Sequence, residues 1–444
     1  MKLTKYMVKI DLKTKDNKYL IINTIYGAVN VVENKYSNII DKWIEEDNIV
    51  PKSDDEIKLY EFLSKSKYLA SEEEEEQQKN ALLTKLRSKH IENMKNINSV
   101  TFILTYNCNF KCPYCYEGDN KNRIKVITKE MVDRVFEMHK NIEKINFFGG
   151  EPLLLSNIDI IKYIISKAPN ATYYAFTNGY YLKEYMDVLI NIKVEFIQVT
   201  LDGDSNIHNK TRILKNGGQT FDKIMEGIDL CLKNNISIKI RMNISNDNVD
   251  SCLKLREEML NKYKWTDLLK FELQPIYQLE EKERIEVEDK IYWNKKDLES
   301  GNDKSLNINK NIILNTASPL IKALLLKSGK IYPKYCNCGA EENNRYYDAE
   351  GNIYTCLIAV GDTKKAVGTY YPEYKLKENS FLNRNIETIK ECKDCKLAFL
   401  CGGGCGNVLK EDDNCLRPNC SQIMKELYVN IPKIYNNFYE VEKK

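Results

Sequence analysis

The chain has 444 residues, 43% of them hydrophobic and 30% charged, which is long enough for two to four domains and a sizeable buried core. Lysine plus arginine number 67 against 64 aspartates and glutamates, a formal net charge of +3, and so even a balance gives no reason to expect nucleic acid or a membrane surface as partner. The amino terminus alternates polar and apolar residues, unlike a secretion signal, and no stretch reaches the roughly 20 apolar residues of a spanning helix. A soluble cytoplasmic protein is therefore expected, in which 14 cysteines serve as metal ligands rather than disulfides.

Residues 1–97 hold no cysteine. Lys5–Leu12, Tyr19–Asn23 and Ala28–Val32 read as strands. Tyr36–Glu46 reads as a helix with Ile39, Ile40, Trp43 and Ile44 on one face, and Ile57–Lys65 as a second. The acidic run Glu72–Glu76 then opens a charged helical connector to Lys95, read as a solvated face or linker, with docking of a basic peptide as the alternative.

From Val100 the pattern becomes strand then helix, repeated. Strands at Val100–Tyr106, Lys144–Phe148, Tyr173–Phe176, Val194–Thr200, Ile236–Ile244 and Leu269–Pro275 alternate with helices at Thr128–Asn141, Ile158–Ser166, Lys183–Ile192, Thr220–Asn234 and Val249–Tyr263. Such units predict parallel strands joined by right-handed crossovers. Directly after the first strand stands Cys108-Asn-Phe-Lys-Cys112-Pro-Tyr-Cys115, three thiols at the spacing C-x3-C-x2-C. Iron–sulfur clusters are normally held by four thiolates, so three in one loop leave an iron open to an outside ligand. A structural zinc knot is the alternative.

This loop, together with Phe147-Phe148-Gly149-Gly150-Glu151-Pro152, resembles that of radical S-adenosylmethionine (SAM) enzymes. The resemblance implies an open (β/α)6 partial barrel whose carboxyl strand ends carry the chemistry. It also implies a cluster on Cys108, Cys112 and Cys115 whose open iron chelates SAM, and release of a 5′-deoxyadenosyl radical that abstracts hydrogen from the substrate. Gly149, Gly150 and Glu151 would meet the amino end of SAM, and Tyr114 would lie beside adenine. Thr177 and Asn178 at the third strand end, and Thr200 and Asp202 at the fourth, match positions lining the cofactor pocket, although Asn-Gly and Asp-Gly also make turns unaided. On the fifth strand, Lys239, Arg241 and Asn243 share one face by the period of two. The family places Arg241 at the SAM carboxylate or ribose with Asn243 nearby; mutual pairing of these polar groups inside the sheet is the alternative. Cys231 and Cys252, in helical patterns, read as inert core thiols.

Residues 280–310 are charged and asparagine-rich and read as a bridge or lid, and a helix at Pro319–Lys327 leads to the second group of cysteines. Cys338-x12-Gly351-x4-Cys356, then Cys392-x2-Cys395-x5-Cys401-x3-Cys405, then Cys415 and Cys420, resembles the SPASM extension of radical SAM enzymes, which holds two auxiliary four-iron clusters. Paired zinc sites are the competing reading. By resemblance Cys338, Cys356 and Cys405 hold the first auxiliary cluster. Cys392, Cys395, Cys401 and a closing cysteine, Cys415 or preferably Cys420, hold the second. Cys336 would complete the first cluster or leave it open. The front module resembles the winged-helix-like peptide-recognition element fused to maturases of ribosomally made peptides; a structural cap is the alternative.

The expected organisation is α/β: a peptide-recognition module and linker at 1–97, the partial barrel at 98–278, a bridge at 279–330 and an iron–sulfur domain at 331–444. The expected cofactors are three [4Fe-4S] clusters and SAM. The expected partners are a precursor peptide with its leader and an external electron donor such as flavodoxin or ferredoxin. The expected reaction is hydrogen abstraction from that peptide followed by a thioether or carbon–carbon crosslink. A sulfatase-maturing enzyme and a non-catalytic electron carrier or zinc-binding protein are the alternatives. No catalytic base is assigned, since carboxylates such as Asp202 and Glu272 have many structural uses.

Overall fold

The computed structural model describes residues 1–115, 117–118, 123–264, 266–276, 279–292, 318–325, 328–378, 381–409 and 416–439. The chain forms two compact units, neither continuous in sequence: Met1–Asn96 with Ala317–Glu342 and Asn379–Lys444, and Ile97–Thr316 with Asn343–Glu378.

In the first unit, β1 (Lys2–Leu3) is followed by an antiparallel sheet of β2 (Met7–Asp11), β3 (Tyr19–Asn23) and β4 (Val29–Val32), in register at Ile10 with Leu20 and Ile22 with Val29. Helices α1 (Asn34–Trp43) and α2 (Asp54–Lys65) come next, and β5 (Leu69–Ala70) returns to pair with β1. The apolar stripe of α1 does what its spacing requires: Ile40 and Trp43 are buried with Ile21, Leu59, Leu63 and Tyr68. Ile44, expected on that face, is exposed because it falls just past the last helical turn.

The charged connector is one helix, α3 (Glu72–Lys95), opened by a capping box between Ser71 and Glu74. Its acidic start is not wholly a solvated face. Glu75 is buried and accepts hydrogen bonds from the Thr4 hydroxyl and, at 2.9 Å, the Lys5 amide. A second core of Tyr6, Ile25, Tyr335, Ile386, Ile389, Cys392, Ala398 and Phe399 packs the first strands of this unit against its cysteine-bearing segment.

The second unit is built on a ten-stranded sheet. Six strands, β6 (Ser99–Thr105), β7 (Lys144–Gly149), β8 (Thr172–Thr177), β9 (Lys193–Thr200), β10 (Ile238–Ile244) and β11 (Leu269–Pro275), lie side by side in chain order and parallel. The helices between them are α4 (Lys129–Met138), α5 (Ile158–Lys167), α6 (Met186–Leu189), α7 (Ser205–Thr211), α8 (Phe221–Lys233) and α9 (Val249–Lys262), with α10 (Glu281–Tyr292) after the last strand. This is the α/β repeat expected from the periodicity, with β6 buried along nearly its whole length as a covered parallel strand should be. The helix expected over Lys183–Ile192 shortens to α6, four residues set among mixed three- and four-residue turns.

The other four strands were not foreseen. β12 (Tyr346–Asp348) adds parallel to β6, pairing Tyr347 with Phe102, and β13 (Asn352–Tyr354), β14 (Gly368–Thr369) and β15 (Lys375–Leu376) continue antiparallel beyond it. Of the expected bridge, 293–317 and 326–327 lie outside the described residues.

Candidate active site

Four of the parallel strands end where the chemistry was expected. The loop after β6 is pinned on both sides of Phe110: the Lys111 amide donates to Ile213 O at 2.8 Å and the Lys215 amide to Asn109 O at 2.8 Å. Cys112 is buried, while Cys108 and Cys115 are half-buried. Burial, reinforced by the negative charge of Glu151, pushes the Cys108 thiol up to about 12, and burial raises Cys112 as well. Such thiols are inert as free groups and become ligands only where a cation compensates their charge. The Cys108 sulfur accepts from the Phe110 amide at 3.3 Å and lies 3.9 Å from Asn178 Nδ2, which bonds Asn109 Oδ1 at 2.8 Å.

Gly149 and Gly150 allow β7 to lie against the start of that loop. A Cβ on Gly150 would fall 2.2 Å from Tyr106 O, and one on Gly149, whose φ is +137°, 2.2 Å from Thr105 O. Gly150 N bonds Thr105 O and Glu151 N bonds Asn107 O, each at 2.9 Å. The Glu151 carboxylate is buried and turned inward. It accepts from the Leu153 amide (2.8 Å), the Thr177 hydroxyl (2.6 Å) and the Asn178 amide (2.7 Å), and burial raises its pKa in spite of them. Through Thr177 and Asn178 it therefore locks the end of β8 to the end of β7 and aims Asn178 at Cys108.

Tyr114 belongs to a buried polar group. Its hydroxyl donates to Asp202 Oδ2 and accepts from Arg212 Nη1 at 2.8 Å, while Asp202 Oδ2 also accepts from Thr211 at 3.3 Å. Asp202 Oδ1, His208 Nε2 and Arg212 Nε are buried with no hydrogen-bond partner among the described residues. Cys112 feels the charges of Arg212, Asp202 and Cys115, so an orphaned carboxylate oxygen and guanidinium N–H lie near the thiol loop, an acceptor and a donor of the kind that a zwitterionic ligand would need. Arg212 and His208 escaped the sequence reading, because a buried arginine looks the same in sequence as an exposed one. The signal was their distance from the Asp202 turn, on the helix α7 that Asp204 caps.

At β10 the polar groups pair with one another. Arg241 Nη1 pairs with Glu272 at 2.7 Å and its Nε donates to Asn243 Oδ1 at 3.1 Å, while Lys239 stacks over Phe196 at 4.2 Å and reaches Glu272 at 4.0 Å. Thr200 stands in register with Arg241. Cys231 and Cys252 are buried helical thiols, as expected.

In the first unit, Cys392, Cys401 and Cys420 are each raised, by burial first and then by neighbouring thiols that include Cys395. Burial first and then the other three thiols push Cys392 up to about 12. Cys415 lies outside the described residues. Gly402, Gly403 and Gly404 follow Cys401 in succession at φ +64°, +86° and +73°, and a Cβ on Gly404 would meet Asn419 O at 1.9 Å. Arg384, fully buried, donates to Gly403 O (2.5 Å), Gly404 O (3.2 Å) and Arg417 O (2.6 Å) and pairs with Glu341 at 3.3 Å. Glu341 in turn accepts from the Asn337 and Cys338 amides at 2.8 and 3.0 Å. This buried ion pair ties Cys338 to the glycine turn, and nothing in the cysteine spacing announced it. Cys336 is buried, Cys338 exposed and Cys405 half-buried; Cys356, half-buried after β13, belongs to the second unit.

Comparison with known proteins places this geometry. Residues 102–258 match the Radical SAM superfamily. A GTP 3',8-cyclase of Clostridium perfringens is 32% identical over 171 residues, 36% of this chain and 51% of the cyclase, so the chain spans about half the length of these curated relatives. A cysteine-type anaerobic sulfatase-maturating enzyme of Clostridium perfringens is 24% identical over 362 residues, 74% of this chain and 95% of that protein. Among solved structures, Streptococcus suis SuiB bound to precursor peptide SuiA aligns with 94% of this chain and 98% of its own at a TM-score of 0.50 and 13% identity, a likeness of fold.

Proposed function

We propose that the protein is a peptide maturase, taking hydrogen from a precursor peptide and closing a thioether or carbon–carbon crosslink, on the strength of the match of residues 102–258 to the Radical SAM superfamily. When bound, a four-iron cluster with SAM supplies the hydrogen-abstracting radical, which is the cofactors' chemistry and not the protein's. Cys108, Cys112 and Cys115 would hold the cluster. The observation that carries the reading is that Cys108 feels the charges of Cys112 and Arg212, and Cys112 those of Arg212, Asp202 and Cys115, while Asn178 Nδ2 lies 3.9 Å from the Cys108 sulfur. Glu151 orients Asn178, Arg212 and Tyr114 fix the charge of Asp202, and the close approach of Gly149 and Gly150 to β6 leaves no space there for water. Cys392, Cys395, Cys401 and Cys420 would hold an auxiliary cluster, and Cys336, Cys338, Cys356 and Cys405 complete the candidate set. A further cluster on Cys338 and Cys405 would bring the total to three. The peptide reading draws support from the fold shared with SuiB, whose likeness spans the front module as well.

A second reading, formylglycine formation, is favoured by the length over which the sulfatase-maturating enzyme aligns. One experiment separates the two. Reduced, anaerobically prepared enzyme is mixed with SAM and either a leader-bearing precursor peptide from a neighbouring reading frame or a cysteine-containing sulfatase peptide. The maturase reading expects 5′-deoxyadenosine and loss of two hydrogens from the first, abolished when the leader is removed. Conversion of the second alone would establish the alternative, and absence of 5′-deoxyadenosine with both would defeat the two together.

A further inference from the structure

One group of metal-binding side chains stands apart from the sites above. His90, near the end of α3, Cys336 and Glu342 bring an imidazole nitrogen, a thiol and a carboxylate oxygen within 4.8 Å of one another. His90 and Cys336 are buried and Glu342 is half-buried. His90 Nδ1 lies 4.0 Å from Cys336 Sγ and 3.5 Å from Glu342 Oε1. A tetrahedral zinc ion, with bonds of about 2.0–2.2 Å to nitrogen or oxygen and about 2.3 Å to sulfur, holds neighbouring donors about 3.3–3.7 Å apart. The two distances to the imidazole thus stand within about half an ångström of a metal's requirement, and the thiol and carboxylate lie within 4.8 Å of each other.

The surroundings are those of a built site. Asn93, one helical turn beyond His90 on the same face of α3, donates to Glu342 Oε2 at 3.2 Å and so turns the other oxygen toward the imidazole. The Tyr335 ring packs on His90 at a centroid distance of 5.0 Å, and its hydroxyl is anchored on Glu387 at 2.6 Å. Such partners fix the orientation of metal ligands. The donor set also argues against a cluster on Cys336: iron–sulfur clusters gather thiolates, whereas this sulfur has an imidazole nitrogen at 4.0 Å and a carboxylate oxygen within 4.8 Å, a mixture that suits a single borderline-soft cation.

We propose that His90, Cys336 and Glu342 bind one mononuclear divalent cation of the zinc class, separate from any iron–sulfur cluster. The cation fastens the carboxyl end of α3 to the Cys336–Glu342 segment, and Cys338 is left to the cluster-binding cysteines.

The test uses the full chain, reconstituted anaerobically with iron and sulfide, given one equivalent of zinc chloride and desalted. Expected are one zinc per chain and a zinc-edge absorption spectrum with one sulfur and two or three nitrogen or oxygen neighbours. His90→Ala and Glu342→Gln should abolish retention of zinc with iron unchanged. His90→Cys, which keeps a ligand, should restore it, and Asn93→Ala should weaken it about 10-fold. Zinc surrounded by four sulfurs, zinc retained by His90→Ala, no zinc in the wild type, or a cluster's worth of iron lost on Cys336→Ser would each overturn the inference.

Discussion

At the scale of single residues, the side chain with most leverage is Glu151, because one carboxylate satisfies three donors from two strand ends. Glu151→Gln turns one acceptor into a donor facing donors, which costs about 1–3 kcal/mol for the unmet group. It should lower the urea midpoint and, by releasing Asn178, blunt the spectral response of the reconstituted cluster to SAM; an unchanged response would remove Glu151 from the site. Arg241 invites a different test. With Glu272 a quarter and Arg241 a third exposed, their pair should couple by less than about 1 kcal/mol in a double-mutant cycle. If Arg241 also touches SAM, Arg241→Ala will weaken SAM binding while Glu272→Ala will not. Period-two patterning brought Arg241 to notice but could not see Glu272 across the strand, since register between strands is a tertiary property.

At the scale of elements, the turn Gly402–Gly404 does for Cys401 and Cys405 what Gly149–Gly150 does for the first loop: it brings backbone where a side chain would forbid it. Gly404→Ala would place a methyl against Asn419 O in a left-handed conformation. The neighbouring cysteines should then lose their cluster, seen as roughly four fewer irons per chain with SAM cleavage at the first loop retained. Undiminished iron would dissociate the turn from cluster binding. The six parallel strands were legible because each is an apolar run or an apolar–polar alternation between turn signals, and their ends fell within a residue or two of expectation. Helix α6 was not, since Tyr181, Leu182 and Tyr185 give the helical spacing of apolar residues while the turn around them serves to seat Tyr185 on Leu154 O at 2.7 Å.

For the whole molecule, buried histidines set an acid limit. Burial, with Arg345 adding to it, holds His139 down to about 4 from an ordinary 6.5, and burial with Arg212 holds His208 down to about 3. Both are neutral in the fold, so their contribution to stability is present above about pH 6.5 and is lost as pH falls through these lower values, because the unfolded chain takes up the protons first. Between pH 7 and pH 5 the wild type should lose more of its urea midpoint than His139→Gln does; equal losses would refute the assignment. The spacing of the cysteines was legible in sequence, but the grouping of 343–378 with the parallel sheet was not, because β12 joins β6 across more than two hundred residues and its short strands carry no periodicity of their own.

That late strand bears on how the protein is made. A nascent chain of the first 340 residues already contains all six parallel strands, but the flank of β6 that Tyr346–Asp348 later covers is bare, offering unpaired amides and carbonyls to any passing strand. The ribosome must deliver residues past Cys338, the opening of the second cysteine group, before that flank closes. The interval is an exposure to mispairing, and a chain stalled or cleaved ahead of Tyr346 should accumulate in inclusion bodies where the full-length product does not.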